Sequence, residues 1–258
     1  MRIITIEECA STNTTLKEMV AGPEWLPSGT TLRAIKQTAG RGQRGNTWES
    51  EPGMNLTFSM VLRPGAVKPS MHFIVSEAIA LGVTKFLLLK PGMEHHRVEI
   101  KWPNDILVDG RKIAGILIEN NLEAEGVILH SIAGIGVNIN QTFFSAAAPN
   151  AVSLSMLTKE YYDLDILMTE LANMINLCVS QIAPQITILN HDNSAIPPIQ
   201  SDYMGLLWRK SGVHRWKDMS NGEEFDASIV TVALTGQLLL KENDGRMRRY
   251  MFKEVMPI

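Results

Sequence analysis

The stretch Val98–Glu119, VEIKWPNDILVDGRKIAGILIE, decides the fold. Val98 to Lys101 begins a strand, and the apolar pattern runs on to Val108 through Pro103. A proline inside a strand removes a ladder hydrogen bond, so the sequence predicts a bulge or an edge there. Asp109-Gly110 is a two-residue hairpin signal, because both residues tolerate the positive φ that the favoured hairpin turn demands. Lys112–Glu119 is then the partner strand, and Gly126–Asn140 (GVILHSIAGIGVNIN) the third member of an antiparallel meander. Strands joined by a tight turn, with helices elsewhere, argue for an α+β fold rather than a doubly wound sheet.

Outward from the meander, residues 2–7 alternate as a strand and Ser11-Thr12-Asn13 supplies cap residues for a helix through Val20. Thr30–Thr38 and Asn55–Leu62 read as further strands. Pro69–Leu89 reads as an apolar helix. Its apolar run near Ile79–Leu89 is too short and too interrupted to span a bilayer. Asp163–Leu189 is a long helix or helix pair broken at Pro184, and Pro198–Lys210 a last helix. After Gly212 the pattern turns to short strands separated by Asn221-Gly222, Thr235-Gly236 and Asp244-Gly245, which suggests a small β-barrel docked on the main domain.

The 258 residues are 45% hydrophobic and 20% charged, as in an ordinary globular protein. A net charge of −3 provides no basic field for sequence-independent DNA binding, so any anion site must be local. Cys9 and Cys178 form neither a metal pattern nor a disulfide framework, and fit a reducing cytoplasm. The six histidines show no ligand spacing.

Four segments break the pattern around them. Ser11-Thr12-Asn13 caps a helix, and the same groups can bind a small polar ligand. Ala39–Gly53, AGRGQRGNTWESEPG, has no apolar face. It reads as a solvated turn-rich loop or as an anion cradle, with Arg41 and Arg44 to grip phosphate and Trp48 to stack on a purine. Its GxGxxG spacing alone is weak, and no Lys-Ser or Lys-Thr follows to make a P-loop. Lys101, within KWPND, is an ammonium in an otherwise apolar neighbourhood, and one ammonium near two anionic reactants can offset their repulsion, a need typical of phosphoryl and adenylyl transfer. In Gly134–Asn140, GIGVNIN, glycines inside a strand signal the close approach of a helix or of a ligand.

Together STN (Ser11–Asn13), QTAGRGQRGNTW (Gln37–Trp48), KWPNDIL with DGRKIAGILIE (Lys101–Glu119) and GIGVNIN (Gly134–Asn140) resemble the biotin protein ligases, in order and spacing, over roughly residues 1–145. The resemblance implies a mixed, largely antiparallel sheet with packed helices as a catalytic domain (residues 1–200) and a small C-terminal SH3-like β-barrel (201–258). It implies ATP-dependent activation of biotin to biotinyl-5′-adenylate, then transfer to a lysine of a biotin carboxyl carrier domain. ATP and biotin would be substrates, with Mg2+ held mainly by ATP phosphates and Asp105 a candidate contact.

By position, Ser11, Thr12, Asn13 and Gln37 would meet biotin's ureido ring. Gly42, Gln43, Gly115 and Ile116 would complete the pocket. Arg41 and Lys101 would act at the carboxylate and α-phosphate as the catalytic pair. Arg44, Trp48, Asn104 and Asn138 would serve the nucleotide. The loop would fold over the adenylate and exclude water.

Gln43 departs from the family's common arginine and carries no fixed charge, which implies a less tightly held adenylate unless Arg44 covers the phosphate. The catalytic motif begins almost at once, so an N-terminal DNA-binding domain is not expected. Further expectations are a cytoplasmic enzyme with no DNA or membrane partner, and a candidate homodimer. The competing readings are a lipoate-type ligase or acyltransferase of the same fold, and a non-catalytic biotin or nucleotide sensor, against which Lys101 argues.

Overall fold

In the computed structural model, which describes residues 2–65, 67–122, 126–191 and 196–258, the Asp109-Gly110 hairpin is present. β5 (Asp105–Val108) and β6 (Arg111–Leu122) pair antiparallel across it. Asp109 and Gly110 have φ of 50° and 76°, the left-handed pair that such a turn requires. β7 (Ile128–Val137) returns along β6 and completes the meander.

The reading of the proline is corrected. No single strand passes through it: β4 (Val98–Lys101) pairs antiparallel with β5, Lys101 facing Asp105, and residues 102–104 form the turn between them. Pro103, which lacks an N–H and follows a cis bond from Trp102, sits where no ladder donor is needed.

β1 (Ile3–Cys9), β2 (Thr31–Gln37) and β3 (Leu56–Leu62) complete a seven-stranded sheet of order β1-β2-β3-β7-β6-β5-β4. Among the described residues, β1 and β2 are the one parallel ladder of this sheet, and its other ladders are antiparallel. The outer edge of β4 is covered, since Ile100 N–H donates to Leu206 O and Trp208 N–H donates to Ile100 O.

α1 (Thr12–Ala21) lies on one face of this sheet, over a small core of Leu16, Leu32, Val61 and Ile132. α2 (Phe73–Leu88) follows a single 3-10 turn and packs the main core on the other face. The segments Pro69–Leu88 and Leu164–Thr187 are longer apolar stretches than the sequence reading allowed, and by length and composition both could cross a membrane. Burial explains that character in the first, since α2 packs against the sheet and three further helices. α3 (Leu154–Thr158) is a short helix not foreseen from the sequence.

α4 (Leu164–Ser180) and α5 (Ile182–His191) divide at Gln181, not at Pro184. Pro184 falls in the first turn of α5, where its missing N–H leaves no helical bond unmade. α6 (Pro198–Gly205) stops short of Lys210, where the chain leaves to cover β4.

The C-terminal strands are β8 (His214–Asp218), β9 (Glu224–Val232), β10 (Leu238–Glu242), β11 (Met247–Tyr250) and β12 (Val255–Pro257), in the order β11-β10-β9-β8-β12. Among the described residues no ladder joins β11 to β12, so the sheet is open where a closed barrel was expected. It is docked as expected: Trp102 Nε1 donates to Gly236 O at 3.0 Å, Phe73 N–H to Leu234 O, and Gln200 Nε2 to Val232 O.

One residue of the core resists burial. Glu77 on α2 is fully enclosed, and neither carboxylate oxygen has a protein partner. Burial pushes its pKa up to about 8. The native state therefore holds a proton that the unfolded chain releases above about pH 4.5. Stability contributed by this group is present below that pH and is lost as the pH rises through about 8. Wild-type protein should lose roughly 4 kcal/mol from this source across the window, and Glu77→Gln should flatten the dependence. Urea unfolding midpoints from pH 5 to 9 check this; parallel curves for the two proteins would contradict it.

Candidate active site

The site begins with strand alternation. Ser59, Gly134 and Leu117 stand in one cross-strand row of β3, β7 and β6, and Thr57, Gly136 and Gly115 in the next. These residues face the α1 side. Their neighbours Phe58, Ile135 and Ile116 face the main core. The glycines leave a trough, and two side chains fill it. A Cβ built on Gly134 would lie 2.3 Å from Asn13 Oδ1. One built on Gly136 would lie 2.3 Å from Trp48 Cε2, and one on Gly115 3.1 Å from Trp48 Cζ3. The close approach expected from strand glycines is the indole and the amide.

Ser11, Thr12 and Asn13 are buried at the start of α1. Ser11 occupies the N-cap position, yet its hydroxyl makes no capping bond. Thr12 N–H donates to Gln37 Oε1 at 2.7 Å, and Ser59 Oγ lies 2.7 Å from Thr12 Oγ1 and 2.5 Å from Asn13 Oδ1. Asn13 Nδ2 donates to Glu119 Oε2 at 2.9 Å, and the same oxygen accepts from Arg41 at 3.2 Å. A single carboxylate thus ties the start of α1 to the glycine-arginine loop.

That loop closes on itself. Trp48 N–H donates to Gly40 O at 3.0 Å and Gly42 N–H to Asn46 O at 2.7 Å, with a 3-10 turn over Gln43–Gly45 at the tip. A Cβ on Gly40 would lie 2.6 Å from Trp48 O, so only glycine permits the closure. Gln43 Oε1 and Trp48 Nε1 are buried without a protein partner. Buried orphans of this kind facing a cavity mark the place of a ligand. The side chain of Arg44 lies outside the described residues.

From the opposite wall come Lys101 and the β4–β5 turn. Asn104 Nδ2 donates to Ile116 O at 2.8 Å and Ile116 N–H to Asn104 O at 3.0 Å, which pins the turn to β6. Asp105 forms an ion pair with Lys112 at 2.6 Å. Lys101 Nζ sits 5.4 Å from the ring of Trp208, and among the described residues it joins no ion pair. No group of three or more metal-ligating side chains occurs among the described residues.

These walls enclose a cavity of about 270 Å3. It gathers Ser11, Thr12, Asn13, Gln37 and the loop residues Arg41, Gly42, Gln43 and Trp48. Lys101, Asn104, Asp105, Gly115 and Ile116 complete the set foreseen from the sequence. Asn138 is not in the lining: it is buried, its Nδ2 donates to Val152 O at 3.0 Å, and its Oδ1 has no partner among the described residues. Sequence reading missed Lys112 and Phe252, which also line the cavity. Lys112 follows the hairpin turn in a strand that runs straight into Gly115, a signal hidden because lysines beside hairpins are ordinarily solvated. Phe252 comes from the link between β11 and β12, and no local pattern announces it.

Residues 6–138 match the model of the biotin/lipoate A/B protein ligase family. The chain is 38% identical over 144 residues to the biotin--[acetyl-CoA-carboxylase] ligase of Paracoccus denitrificans, covering 55% of each. It is 38% identical over 118 residues to the bifunctional ligase/repressor BirA of Bacillus subtilis, covering 45% of this chain and 34% of that one. The chain thus spans about a third to a half of the length of these relatives. Its fold is similar to that of the biotin protein ligase from Aquifex aeolicus, solved in complex with biotin and ATP, with a TM-score of 0.74 at 20% identity over 100% of this chain and 98% of that one.

The trough makes a testable demand. Gly136→Ala should expel the Trp48 indole and lower the melting temperature. Trp48→Ala should cost little more in that background, giving a coupling of about 1 kcal/mol or more in a double-mutant cycle. Additive losses in thermal melts of the four proteins would contradict the contact.

Proposed function

The chain belongs to the biotin/lipoate A/B protein ligase family, and from that premise we propose that it is an ATP-dependent biotin protein ligase. The observation that carries this reading is the cavity: four separated sequence segments converge on it, with buried orphan polar atoms and two lysines facing inward.

In the proposed reaction the biotin carboxylate attacks the α-phosphate of ATP, pyrophosphate leaves, and biotinyl-5′-AMP remains. The amine of an acceptor lysine then attacks the mixed anhydride carbonyl, an amide forms, a proton passes to solvent and AMP departs. Two anions must meet in the first step. Lys101, without an ion-pair partner, supplies a cation for the shared charge, and Arg41 a second from the loop. Lys112 is a third, held by Asp105. That pairing supports a positioning role for Asp105 over metal binding, with Mg2+ arriving on the ATP phosphates.

Ser11, Thr12, Asn13 and Gln37 offer the matched donors and acceptors that a ureido ring needs, and Gly42, Gln43, Gly115 and Ile116 offer backbone and amide groups around it. Trp48 offers a face to the adenine. Asn104 and Arg44 stand for the nucleotide; Asn138, buried outside the cavity lining, is assigned no contact with it. The acceptor is read as a biotin carboxyl carrier domain, after the name of the Paracoccus relative. The division into residues 1–200 and 201–258, an SH3-like ancestry for the C-terminal sheet, a cytoplasmic location and a homodimer belong to the same reading. The net charge of −3 favours an enzyme without DNA or membrane partners.

Exchange of labelled pyrophosphate into ATP tests the function: it should require biotin and fail with lipoate. Exchange driven by lipoate, or by neither acid, would overturn the reading. Lys101→Ala should slow the exchange by about 10²-fold or more, the loss typical of one charge-stabilising donor, with melting temperature retained. Near-normal exchange would remove Lys101 from its role. Gln43→Arg should slow the escape of adenylate into solution, measured by trapping free biotinyl-5′-AMP. An unchanged release rate would assign the phosphate to Arg44 instead.

A further inference from the structure

Ser59 is one of two hydroxyls in β3, a strand whose other residues are apolar. It is fully buried and takes no part in the lining of the cavity. A buried hydroxyl costs free energy unless it is bonded, and an alanine would carry no such cost. Thr57, two residues earlier on the same face, donates to the backbone, to Ala34 O at 3.0 Å. Ser59 turns instead to α1, 2.7 Å from Thr12 Oγ1 and 2.5 Å from Asn13 Oδ1.

The Ser59 hydroxyl has one proton for two contacts, and elimination places it. Asn13 Nδ2 faces two acceptors, Leu117 O at 3.3 Å and Glu119 Oε2 at 2.9 Å, so the amide orientation is settled and Oδ1 is the atom toward Ser59. That oxygen can only accept, so Ser59 donates to it. The Ser59 oxygen then accepts the proton of Thr12, at a distance usual for two hydroxyls. Gln37 Oε1 is the rival for that proton at 3.2 Å. It already accepts Thr12 N–H at 2.7 Å, and choosing it would leave facing lone pairs at the shorter contact. The protons therefore run inward, from Thr12 to Ser59 to Asn13, and from Asn13 to Glu119. Thr12 and Asn13 are left as acceptors toward the cavity. The donors left on the same wall are Gln37 Nε2, whose Oε1 is committed, and the Ser11 hydroxyl, which makes no capping bond.

We infer that Ser59 is a positioning residue for the bound acid: without touching it, Ser59 fixes which groups of the cavity wall accept hydrogen bonds and which donate them. The inference rests on the ligase reading above. A cyclic urea carries a carbonyl flanked by two N–H groups, and this wall offers the complement of both. A dithiolane ring carries neither, so the same polarity selects against a lipoate-type acid, which would leave buried polar groups unpaired. Freed of Ser59, the Thr12 hydroxyl can turn its proton toward the cavity, where it opposes a ring N–H donor to donor.

Steady-state pyrophosphate exchange in the full chain tests this. Ser59→Ala should raise the KM for biotin by about fivefold to tenfold, the scale of one hydrogen bond. The KM for ATP and the kcat at saturating biotin should stay as in wild type. The second readout is polarity, with the two cyclic carbamate analogues of biotin, in which one ring N–H or the other is replaced by oxygen. Wild type should discriminate against at least one of them by about tenfold or more in KM. Ser59→Ala should shrink that ratio severalfold, because the freed Thr12 proton can be donated to the ring oxygen. Ser59→Cys, whose thiol is a weak donor, should fall between the two, and serves if the alanine variant melts early. An unchanged KM for biotin would overturn the inference, as would a wild type indifferent to both carbamates. So would an unchanged carbamate ratio, or a KM for ATP and a kcat that shift in step with the KM for biotin, either of which would leave Ser59 a packing residue under α1. A wild-type chain that shows no biotin-dependent exchange would be a failure of the ligase reading itself, visible before any variant is made.

Discussion

The architecture of the site depends on the absence of three side chains. Gly115, Gly134 and Gly136 share one face of β6 and β7, and their missing Cβ atoms let the Trp48 indole and the Asn13 amide lie against the sheet. An alanine at Gly136 would place carbon 2.3 Å from the indole. The glycine-arginine loop is arranged around that contact. With Trp48 seated, its N–H reaches Gly40 O and the loop closes. With Asn13 seated, its amide reaches Glu119, and Glu119 holds Arg41. The loop and the first helix are thus fixed to one sheet face by steric permission more than by strong bonds. Such an arrangement suits a lid, because a loop held by one indole and one half-exposed ion pair opens at small cost.

Much of the fold was legible because its signals are local. The Asp109-Gly110 turn demands positive φ at two positions, and few dipeptides meet that demand. The strand patterns of Asn55–Leu62 and Gly126–Asn140 placed β3 and β7, and a long apolar stretch placed α2. What was illegible depends on tertiary context. Pro103 is as compatible with a turn as with a bulge until Lys101 and Asp105 are seen to face each other. The break between α4 and α5 falls at Gln181, because the proline that seemed to interrupt the helix is tolerated in a first turn. The expected closure of the C-terminal barrel was read from strand spacing, which fixes the number of strands but not whether the outer two meet.

The cavity residues were legible for another reason: each sat where its type made no sense as packing. Arginines among glycines, a lysine beside an apolar strand and glycines inside a strand all cost stability unless something uses them. Lys112 and Phe252 escaped that logic. A lysine beside a hairpin is ordinary, and so is a phenylalanine in the short link between two strands. Only the ion pair of Lys112 with Asp105, and the docking of the C-terminal sheet through Trp102 and Gly236, reveal them as neighbours of the site.

Cations from three separate segments, Arg41, Lys101 and Lys112, line one cavity, and in the proposed reaction they meet a carboxylate and a phosphate that would otherwise repel. A crystal structure of the chain with biotin and a non-hydrolysable ATP analogue tests this most directly. The account predicts the ureido ring against Ser11, Thr12 and Asn13, the adenine against Trp48, and the carboxylate and α-phosphate meeting between Arg41 and Lys101. Both compounds bound elsewhere, with this cavity left to solvent, would contradict it.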